Sequence, residues 1–156
     1  MSAPTRAQQY LSHWILHRGA LSDLVDRLPE GSAGFRPWPQ AMTTEGLVWH
    51  IVQSTDRFFQ AVRTGSMPPR PAQQDVPQTI AAVRELLHAR TATDRELLEG
   101  LTDAQFDAVL AFGPVGELPG VTLLGLALDH EIHHKGQLWT YARMCGVEPP
   151  SFVKRG

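Results

Sequence analysis

The chain has 156 residues, of which 42% are hydrophobic and 19% charged, with a formal net charge of −2 at pH 7. This size and balance predict one globular domain spanning residues 1–156, with enough apolar side chains for a substantial core. No basic run offers the charge that nucleic-acid binding requires, and no apolar run is long enough to span a membrane, so neither partner is expected.

The N-terminal segment MSAPTRAQQY has no continuous apolar stretch and no cleavage-like site, which argues against a secretory signal peptide. A single cysteine, Cys145, excludes a disulfide within the chain and a zinc site built from several cysteines. Both features are typical of the reducing cytoplasm, and we expect a cytoplasmic protein.

Four long segments place apolar residues at helical spacing. The first covers residues 5–28, the second runs from Thr43 or Thr44 to about residue 63, the third covers 78–99, and the last runs from a cap at Thr122 to Gly146. Loops rich in glycine and proline separate the segments. We therefore predict an all-α four-helix bundle with long loops.

A shorter helix is expected between the third and last segments, because Thr102 and Gln105 have the spacing of a capping box. It should run through Leu110. Residues 112–120, FGPVGELPG, are too rich in glycine and proline to be helical. They are expected to form either an extended loop or a small hairpin.

Within the last helix, His130 and His134 lie four residues apart and therefore on one face. Leu123, Ala127 and Leu138 share that face, so both imidazoles are expected to point toward the core. Burying two imidazoles costs free energy unless each has a partner, and one metal ion can serve both. The alternative is two core histidines that are satisfied separately.

The remaining histidines are weaker candidates. His13 and His17 also lie four residues apart, but no acidic or histidine residue lies near them in sequence to complete a metal site, and we expect His17 to line a pocket instead. His88 lies among charged residues and is expected to be solvated. His50 lies on the flank of the second helix, beside Ser54, and is a boundary histidine unless the last helix needs a third ligand.

Residues 130–134 formally match H-E-x-x-H, in which the glutamate is the general base of a zinc protease. The longer metzincin pattern requires glycine where this chain has Gln137, and only residues 135–156 follow His134. No predicted sheet offers an edge for an extended peptide. We therefore interpret Glu131 as a carboxylate at the surface or behind the ligands, not as a general base.

A second known sequence pattern fits this region better than the zinc-protease pattern does, and it begins with His130 and His134. The pattern continues as His134-Lys135-Gly136-Gln137-Leu138, Tyr141-Ala142-Arg143 and Gly146-Val147-Glu148-Pro149-Pro150. These motifs resemble the DinB/YfiT-like superfamily, whose members are damage-inducible metal-binding four-helix bundles. In that family the last helix supplies His-x-x-x-His, and the second helix supplies a third histidine shortly after a capped start. The resemblance therefore implies His50, His130 and His134 as metal ligands.

One residue departs from that pattern, because His133 stands next to the pair and could compete as a ligand. Around the site we expect further side chains that line the pocket or support the ligands. They are His17, Ser54, Glu131, His133, Gln137 and Tyr141.

Three neutral imidazoles leave coordination positions open, which is typical of a catalytic metal and not of a closed structural one. Zn²⁺ suits such ligands best, and Ni²⁺, Fe²⁺ and Mn²⁺ are compatible with them. The resemblance implies S-transferases and isomerases that use a low-molecular-weight thiol, bacillithiol or mycothiol, as cosubstrate, and some hydrolases. We therefore expect a metal-dependent transferase or hydrolase acting on small electrophiles, with a water or thiol at the metal as the reacting group.

Two other interpretations stay open at this point. The first is a metal-binding module of a stress response that has no catalytic activity and whose metal stabilises the bundle. The second is a helical interaction protein whose histidines are incidental.

Apolar residues also lie on a second side of the last helix, roughly 140° to 180° from its core face. They are Leu128, Ile132 and Trp139. Trp49 similarly lies outside the core face of the second helix. Exposed contiguous apolar surface is unusual in monomers, so we expect a twofold homodimer through these outer faces. The competing interpretation is that Phe35, Trp38 or the proline-rich loop covers them.

Overall fold

The computed structural model describes residues 3–154 and contains four long helices and one short one. They are α1 (Arg6–Arg27), α2 (Thr44–Thr64), α3 (Ile80–Glu99), the short α4 (Asp103–Asp107) and α5 (Gly120–Met144). The predicted four-helix bundle is confirmed, and the first three helices begin and end within two residues of the predicted bounds. None of the described helices combines the length and the apolar character that crossing a membrane requires.

Threonine side chains begin four of these helices. Thr5, Thr43, Thr79 and Thr102 each accept a hydrogen bond from the backbone N–H three residues later. Each bond satisfies one of the N–H groups that the first turn leaves without a partner. Gly65 ends α2 with φ of +82°, a conformation that glycine adopts without steric cost. These ends are encoded locally, which is why the sequence predicted them closely.

The start of α5 differs from the prediction. Its cap is Pro119 and the helix begins at Gly120, so Thr122 lies inside the first turn and does not cap it. The preceding residues form an antiparallel hairpin of β1 (Val109–Ala111) and β2 (Glu117–Pro119). Pairing of the strands also ends α4 at Asp107, short of the predicted Leu110. Contacts between distant residues decide both boundaries.

Gly120 lies where α5 meets α4. A Cβ atom at this position would be 2.2 Å from the carbonyl oxygen of Gln105, a backbone atom that cannot move aside cheaply. We expect Gly120→Ala to lower the free energy of unfolding by about 2 kcal/mol or more in a urea titration. Gly125→Ala in the same helix is the matched control, because nothing lies within 4 Å of its Cβ position. Equal stability of the two variants would contradict this packing.

The core consists of two apolar clusters at the two ends of the bundle. Between them lies a layer of buried polar side chains, one from each long helix. They are Arg18 of α1, Thr55 of α2, Asp94 of α3 and Glu131 of α5. The clusters hold the helices together, and the polar layer fixes how the helices are aligned along the bundle.

The second apolar side of α5 is covered within the chain. Leu128 and Trp139 are 7% and 8% exposed, and Trp49 of α2 is 9% exposed. The indole N–H of Trp139 donates to the carbonyl oxygen of Pro150, 3.2 Å away in the C-terminal segment. The expectation of an open apolar face at these residues is therefore wrong. The segment that follows α5 covers Trp139, and Phe35 packs against the apolar cluster that contains Trp49 and Trp139, whereas Trp38 is 56% exposed.

Candidate metal centre

Packing of α2 against α5 brings three histidines together. Nε2 of His50 lies 3.1 Å from Nε2 of His130 and 3.2 Å from Nε2 of His134. One ring nitrogen from each histidine lies within 4.8 Å of the others. His130 and His134 occupy one face of α5, as their spacing predicts, and the flank position of His50 on α2 faces them.

The three rings are neutral at pH 7. Burial is the main cause, and it lowers the pKa of His50 to about 4, with the neighbouring His134 and Arg70 acting in the same direction. Burial and the adjacent histidines likewise lower the pKa of His130 to about 4. Burial also lowers the pKa of His134, although the hydrogen bond that its Nδ1 donates to Gln137 acts in the opposite direction.

The tautomer of His134 follows from its contact with Gln137. Its Nδ1 lies 2.7 Å from Oε1 of Gln137, an atom that can only accept, so the proton must be on Nδ1. The lone pair of His134 Nε2 is therefore free to point at the other two rings. Nδ1 of His130 is buried and has no hydrogen-bond partner among residues 3–154, so no hydrogen bond at this nitrogen orients the ring.

The donor set fits a small divalent ion. Three nitrogen lone pairs directed at one point repel one another unless a cation lies between them. Zn–N bonds of about 2.05 Å at the tetrahedral angle place two nitrogens about 3.3 Å apart. The separations of 3.1 and 3.2 Å from Nε2 of His50 agree with that spacing. The three imidazoles could hold a metal without a change in backbone position.

A cavity of about 560 Å³ lies over His50 and His130. Ser54, one turn beyond His50 on α2, lines it as expected. Two loops complete its walls, the proline-rich loop after α2 and the loop that joins β1 to β2. A second cavity of about 280 Å³ reaches His50 from the other side, next to the start of α2. The histidine cluster is thus open to small molecules.

Behind the cluster, Glu131 lies in the polar layer at 0% exposure. Its two carboxylate oxygens accept from Nε and Nη2 of Arg18 at 2.8 and 2.7 Å, and from Trp14 and Thr55. The Arg18 guanidinium holds the pKa of this carboxyl below its usual range despite burial. Glu131 therefore remains ionised and joins α5 to α1 and α2, next to ligand candidate His130.

The position of Glu131 distinguishes the two alternatives expected for it and reveals residues that the sequence analysis missed. Glu131 is not at the surface but behind the ligands, and its hydrogen bonds go to α1 and α2 and not to the three rings. Arg18 lies in the apolar stripe of α1, one turn from Trp14 and three residues before Leu21. A charged residue in such a stripe indicates a buried ion pair, and this signal could have identified it.

Asp94 of α3 is the third charged member of the polar layer. Its Oδ2 lies 3.6 Å from Nη1 of Arg18, and neither carboxylate oxygen has a hydrogen-bond partner in the described part of the chain. Burial raises the pKa of Asp94 from 3.8 to about 7, although Arg18 opposes the rise. Between these two pH values the folded chain binds a proton that the unfolded chain has released. The contribution of Asp94 to stability therefore falls as the pH rises.

The decrease in the contribution of Asp94 with rising pH leads to a prediction for Asp94→Asn, whose side chain is neutral at every pH. Its free energy of unfolding relative to the original chain should increase between about pH 5 and about pH 8, by on the order of 3 kcal/mol. Urea titrations at the two pH values measure the difference and cancel the titration of the histidines. Asp107→Asn, at an exposed pair with Arg6, is the control and should show no such change. A pH-independent difference for Asp94→Asn would contradict the assignment.

Of three further predicted pocket residues, two do not lie beside the three rings, and His133 lies beside His134 without lining either cavity. His17 is not among the residues that line either cavity, and its Nδ1 accepts from Nζ of buried Lys135 at 2.9 Å. Tyr141 donates its hydroxyl to the carbonyl oxygen of Met42 at 3.1 Å and packs within the core. His133 is exposed on α5, where its ring centroid is 4.9 Å from that of His134.

The histidines with weaker signals lie elsewhere. His13 stacks near His17 on α1, with ring centroids 5.4 Å apart, and no third ligand joins them in the described chain. His88 is exposed and its Nε2 lies 2.8 Å from Oδ1 of Asp26. The structure therefore separates these residues from the cluster of three.

Comparison with known proteins identifies close relatives. The model of the DinB family matches residues 1–155. The protein YjoA of Bacillus subtilis strain 168 is 32% identical over 157 residues, covering 96% of this chain and 98% of YjoA. The crystal structure of YjoA, a DinB-like protein, matches with a TM-score of 0.80 and covers 95% of this chain and 99% of that chain.

Two more distant structures share the fold. YfiT from Bacillus subtilis, described as a probable metal-dependent hydrolase with an unusual four-helix bundle topology, is 15% identical with a TM-score of 0.73, covering 95% of this chain and 93% of YfiT. The mycothiol-dependent maleylpyruvate isomerase is 13% identical with a TM-score of 0.58, covering 95% of this chain and 66% of that chain. At these identities the match shows a common fold.

Proposed function

This chain belongs to the DinB family, and its fold places three neutral imidazoles together beside an open cavity. We therefore propose that it is a metal-dependent enzyme acting on small electrophilic molecules. His50, His130 and His134 would hold the ion, each through Nε2. The cavity over His50 and His130 carries this proposal, because a closed structural metal site has no room for a substrate. A divalent ion held there, Zn²⁺ before Ni²⁺, Fe²⁺ or Mn²⁺, supplies the charge that lowers the pKa of a thiol or water.

The protein's own residues would prepare the site. Gln137 accepts from Nδ1 of His134 and so keeps that ring in the tautomer with a free Nε2. Phe58 lies beside His130, with ring centroids 6.1 Å apart, and would exclude water from one side of the cluster. Glu131 and Arg18 hold α5 in register, so that His130 and His134 remain opposite His50. These contacts preorganise the ligands before any substrate enters.

The two cavities favour a reaction between two molecules. They share Trp49, His50 and Gln73, so each gives access to the same histidine from a different side. In S-transfer, the sulfur of a low-molecular-weight thiol forms a bond to the electrophilic carbon. The bond from that carbon to its leaving group breaks with its electron pair, and the thiol proton passes to solvent. The likeness to YfiT supports hydrolysis, with water in place of the thiol, as the second candidate.

Metal analysis followed by a conjugation assay tests the proposal. The protein, purified without chelator, is assayed with 1-chloro-2,4-dinitrobenzene and bacillithiol, mycothiol or no thiol. We expect conjugate formation with at least one thiol, its loss on treatment with EDTA, and its return with Zn²⁺. Bound metal that stabilises the fold without any turnover, of this electrophile or of ester substrates, would favour the non-catalytic metal-binding module. Metal below about 0.1 ion per chain would favour the helical interaction protein.

We also propose that two chains associate as a twofold homodimer through the outer faces of α2 and α5. Trp49 and Trp139 are covered within the chain, so the proposal is supported by exposed apolar side chains such as Leu126 on α5, which is 38% exposed. Light scattering at low micromolar concentration should give about twice the chain mass of 17.3 kDa. Leu126→Glu should shift the mass toward the monomer and leave metal content unchanged. A monomer mass for the unaltered chain would rule the dimer out.

A further inference from the structure

The larger cavity carries positive charge that no acidic side chain balances. Arg57 of α2 and Arg70 of the proline-rich loop both line it, and no aspartate or glutamate does. The neighbouring Asp56 lies 3.5 Å from Nη1 of Arg90, on a different side of α2. A cavity with two guanidinium groups and no counter-charge attracts anions, and its partly apolar walls strengthen that attraction by lowering the local dielectric constant.

Of the two arginines, Arg57 has a structural role, because it binds the backbone of the proline-rich loop. Nε of Arg57 donates to the carbonyl oxygens of Pro68 and Pro69 at 3.1 Å, and its Nη2 donates to that of Pro68 at 2.8 Å. Arg57 therefore fixes the proline-rich loop against α2 and positions Arg70. Burial and the nearby charge of Arg70 both lower the pKa of Arg57.

Arg70 is the cation that remains available. Its side chain makes no ion pair and no hydrogen bond within residues 3–154, and it is exposed at the edge of the cavity. A guanidinium offers two parallel N–H groups, which match the two oxygens of a carboxylate. An anion bound there would contact Arg70 without displacing any existing partner.

Other parts of the cavity wall are apolar. The ring centroids of Phe58 and Phe112 lie 5.6 Å apart, and Met67 also lines this part of the cavity. Phe58 in turn packs beside His130. A ligand that places its charge at Arg70 would therefore lay an apolar body on the two phenylalanines and reach the histidine cluster with its far end.

We propose that this cavity binds an organic carboxylate with an apolar body, whose carboxylate pairs with Arg70 and whose body lies on Phe58 and Phe112. The preferred substrate of the histidine cluster is thus an amphiphilic organic anion. The identity of the cluster as a metal site rests on the proposed function, whereas the binding of the anion does not.

The test compares 3-phenylpropionate with 3-phenylpropionamide, which has the same shape but no charge. Calorimetry on EDTA-treated full-length protein at low salt excludes direct binding of the carboxylate to a metal. We expect the acid to bind at least about fivefold more tightly than the amide. Arg70→Gln should weaken acid binding about tenfold and leave amide binding within about twofold. Arg70→Lys should keep most of the preference for the acid.

Arg63→Gln is the matched control, because it removes the same charge from α2 at an exposed position that does not line the cavity. It should leave acid binding within about twofold. Equal binding of acid and amide, no binding of either, or equal weakening by Arg63→Gln and Arg70→Gln would overturn the proposal. Binding of inorganic phosphate as tight as that of the acid would overturn the requirement for an apolar body.

These outcomes are independent of the proposed function. A failure of anion binding in a protein that holds metal and conjugates a neutral electrophile would leave the enzyme proposal intact. Binding of the acid by a protein that never takes up metal would support the anion site and contradict the proposal of a metal-dependent enzyme.

Discussion

His134→Ala is expected to reduce the zinc content of the purified protein from about one ion per chain to below about 0.1, measured by inductively coupled plasma mass spectrometry. The substitution removes one of three Nε2 donors and leaves two imidazoles, which hold a divalent ion weakly. Changing a residue that only orients a ligand already costs about 10–100-fold in metal affinity, so removal of a ligand should cost at least about 100-fold. His130→Ala and His50→Ala should have the same effect.

Matched histidine variants separate this effect from a general loss of imidazoles. His133→Ala changes the neighbouring residue on α5, while His13→Ala and His88→Ala change histidines on α1 and α3. All three should retain full metal content. Equal zinc in His134→Ala and the unaltered chain would refute the assignment. Loss of zinc in His133→Ala but not in His134→Ala would mean that His133, and not His134, is the ligand.

Gln137→Ala should weaken zinc binding less than the loss of a ligand does, because it removes only the acceptor for Nδ1 of His134. Zinc affinity measured by competition with a chelating dye should fall about 10-fold. Gln137→Glu should preserve the affinity, since its carboxylate also accepts from Nδ1. An unchanged affinity in Gln137→Ala would show that packing alone orients His134.

Arg18→Met should lower the free energy of unfolding by about 3–5 kcal/mol at pH 7 in urea titrations of metal-free protein. Arg18 is fully buried and makes two hydrogen bonds to Glu131, and its guanidinium also lies near Asp94. Methionine fills much of the same volume but leaves the Glu131 carboxylate without its counter-charge. Most of the loss therefore comes from a buried charge and not from a cavity.

Two further variants test whether the unpaired Glu131 charge causes the loss of stability in Arg18→Met. Arg95→Met removes an exposed pair with Glu99 one turn away in α3, and stability should change by less than about 0.5 kcal/mol. Glu131→Gln introduced into Arg18→Met should recover part of the loss, because a neutral amide needs no counter-charge. A loss below about 1 kcal/mol for Arg18→Met would mean that the ion pair does not hold α5 in place.

The sequence by itself determined the features that depend on short-range geometry. Apolar spacing predicted the four long helices, because one turn of a helix fixes which side chains share a face. Thr43 marked the start of α2 for the same local reason, since its hydroxyl reaches only the first turn. His130 and His134 share a face whatever surrounds them, because four residues separate them in one helix.

His50 required more than spacing. Its position on the flank of α2 is equally compatible with a solvent-exposed histidine, and only the resemblance to the DinB/YfiT-like superfamily singled it out. The structure places it against His130 and His134 because α2 and α5 pack side by side. The angle at which two helices meet depends on all the side chains between them, and no local pattern encodes it.

Only the tertiary structure decided where Glu131, Gly120 and Arg70 belong. Glu131 meets Arg18 across 113 residues of sequence, and that ion pair turned an expected surface or supporting carboxylate into a buried contact between helices. The start of α5 at Gly120 depends on the hairpin before it and on the Gln105 carbonyl beside it. Arg70 reaches the cavity because Arg57 holds the carbonyl groups of a loop without helical or strand periodicity. The free energy of each arrangement comes from partners that are distant in the chain, whereas a sequence pattern reports only on neighbours.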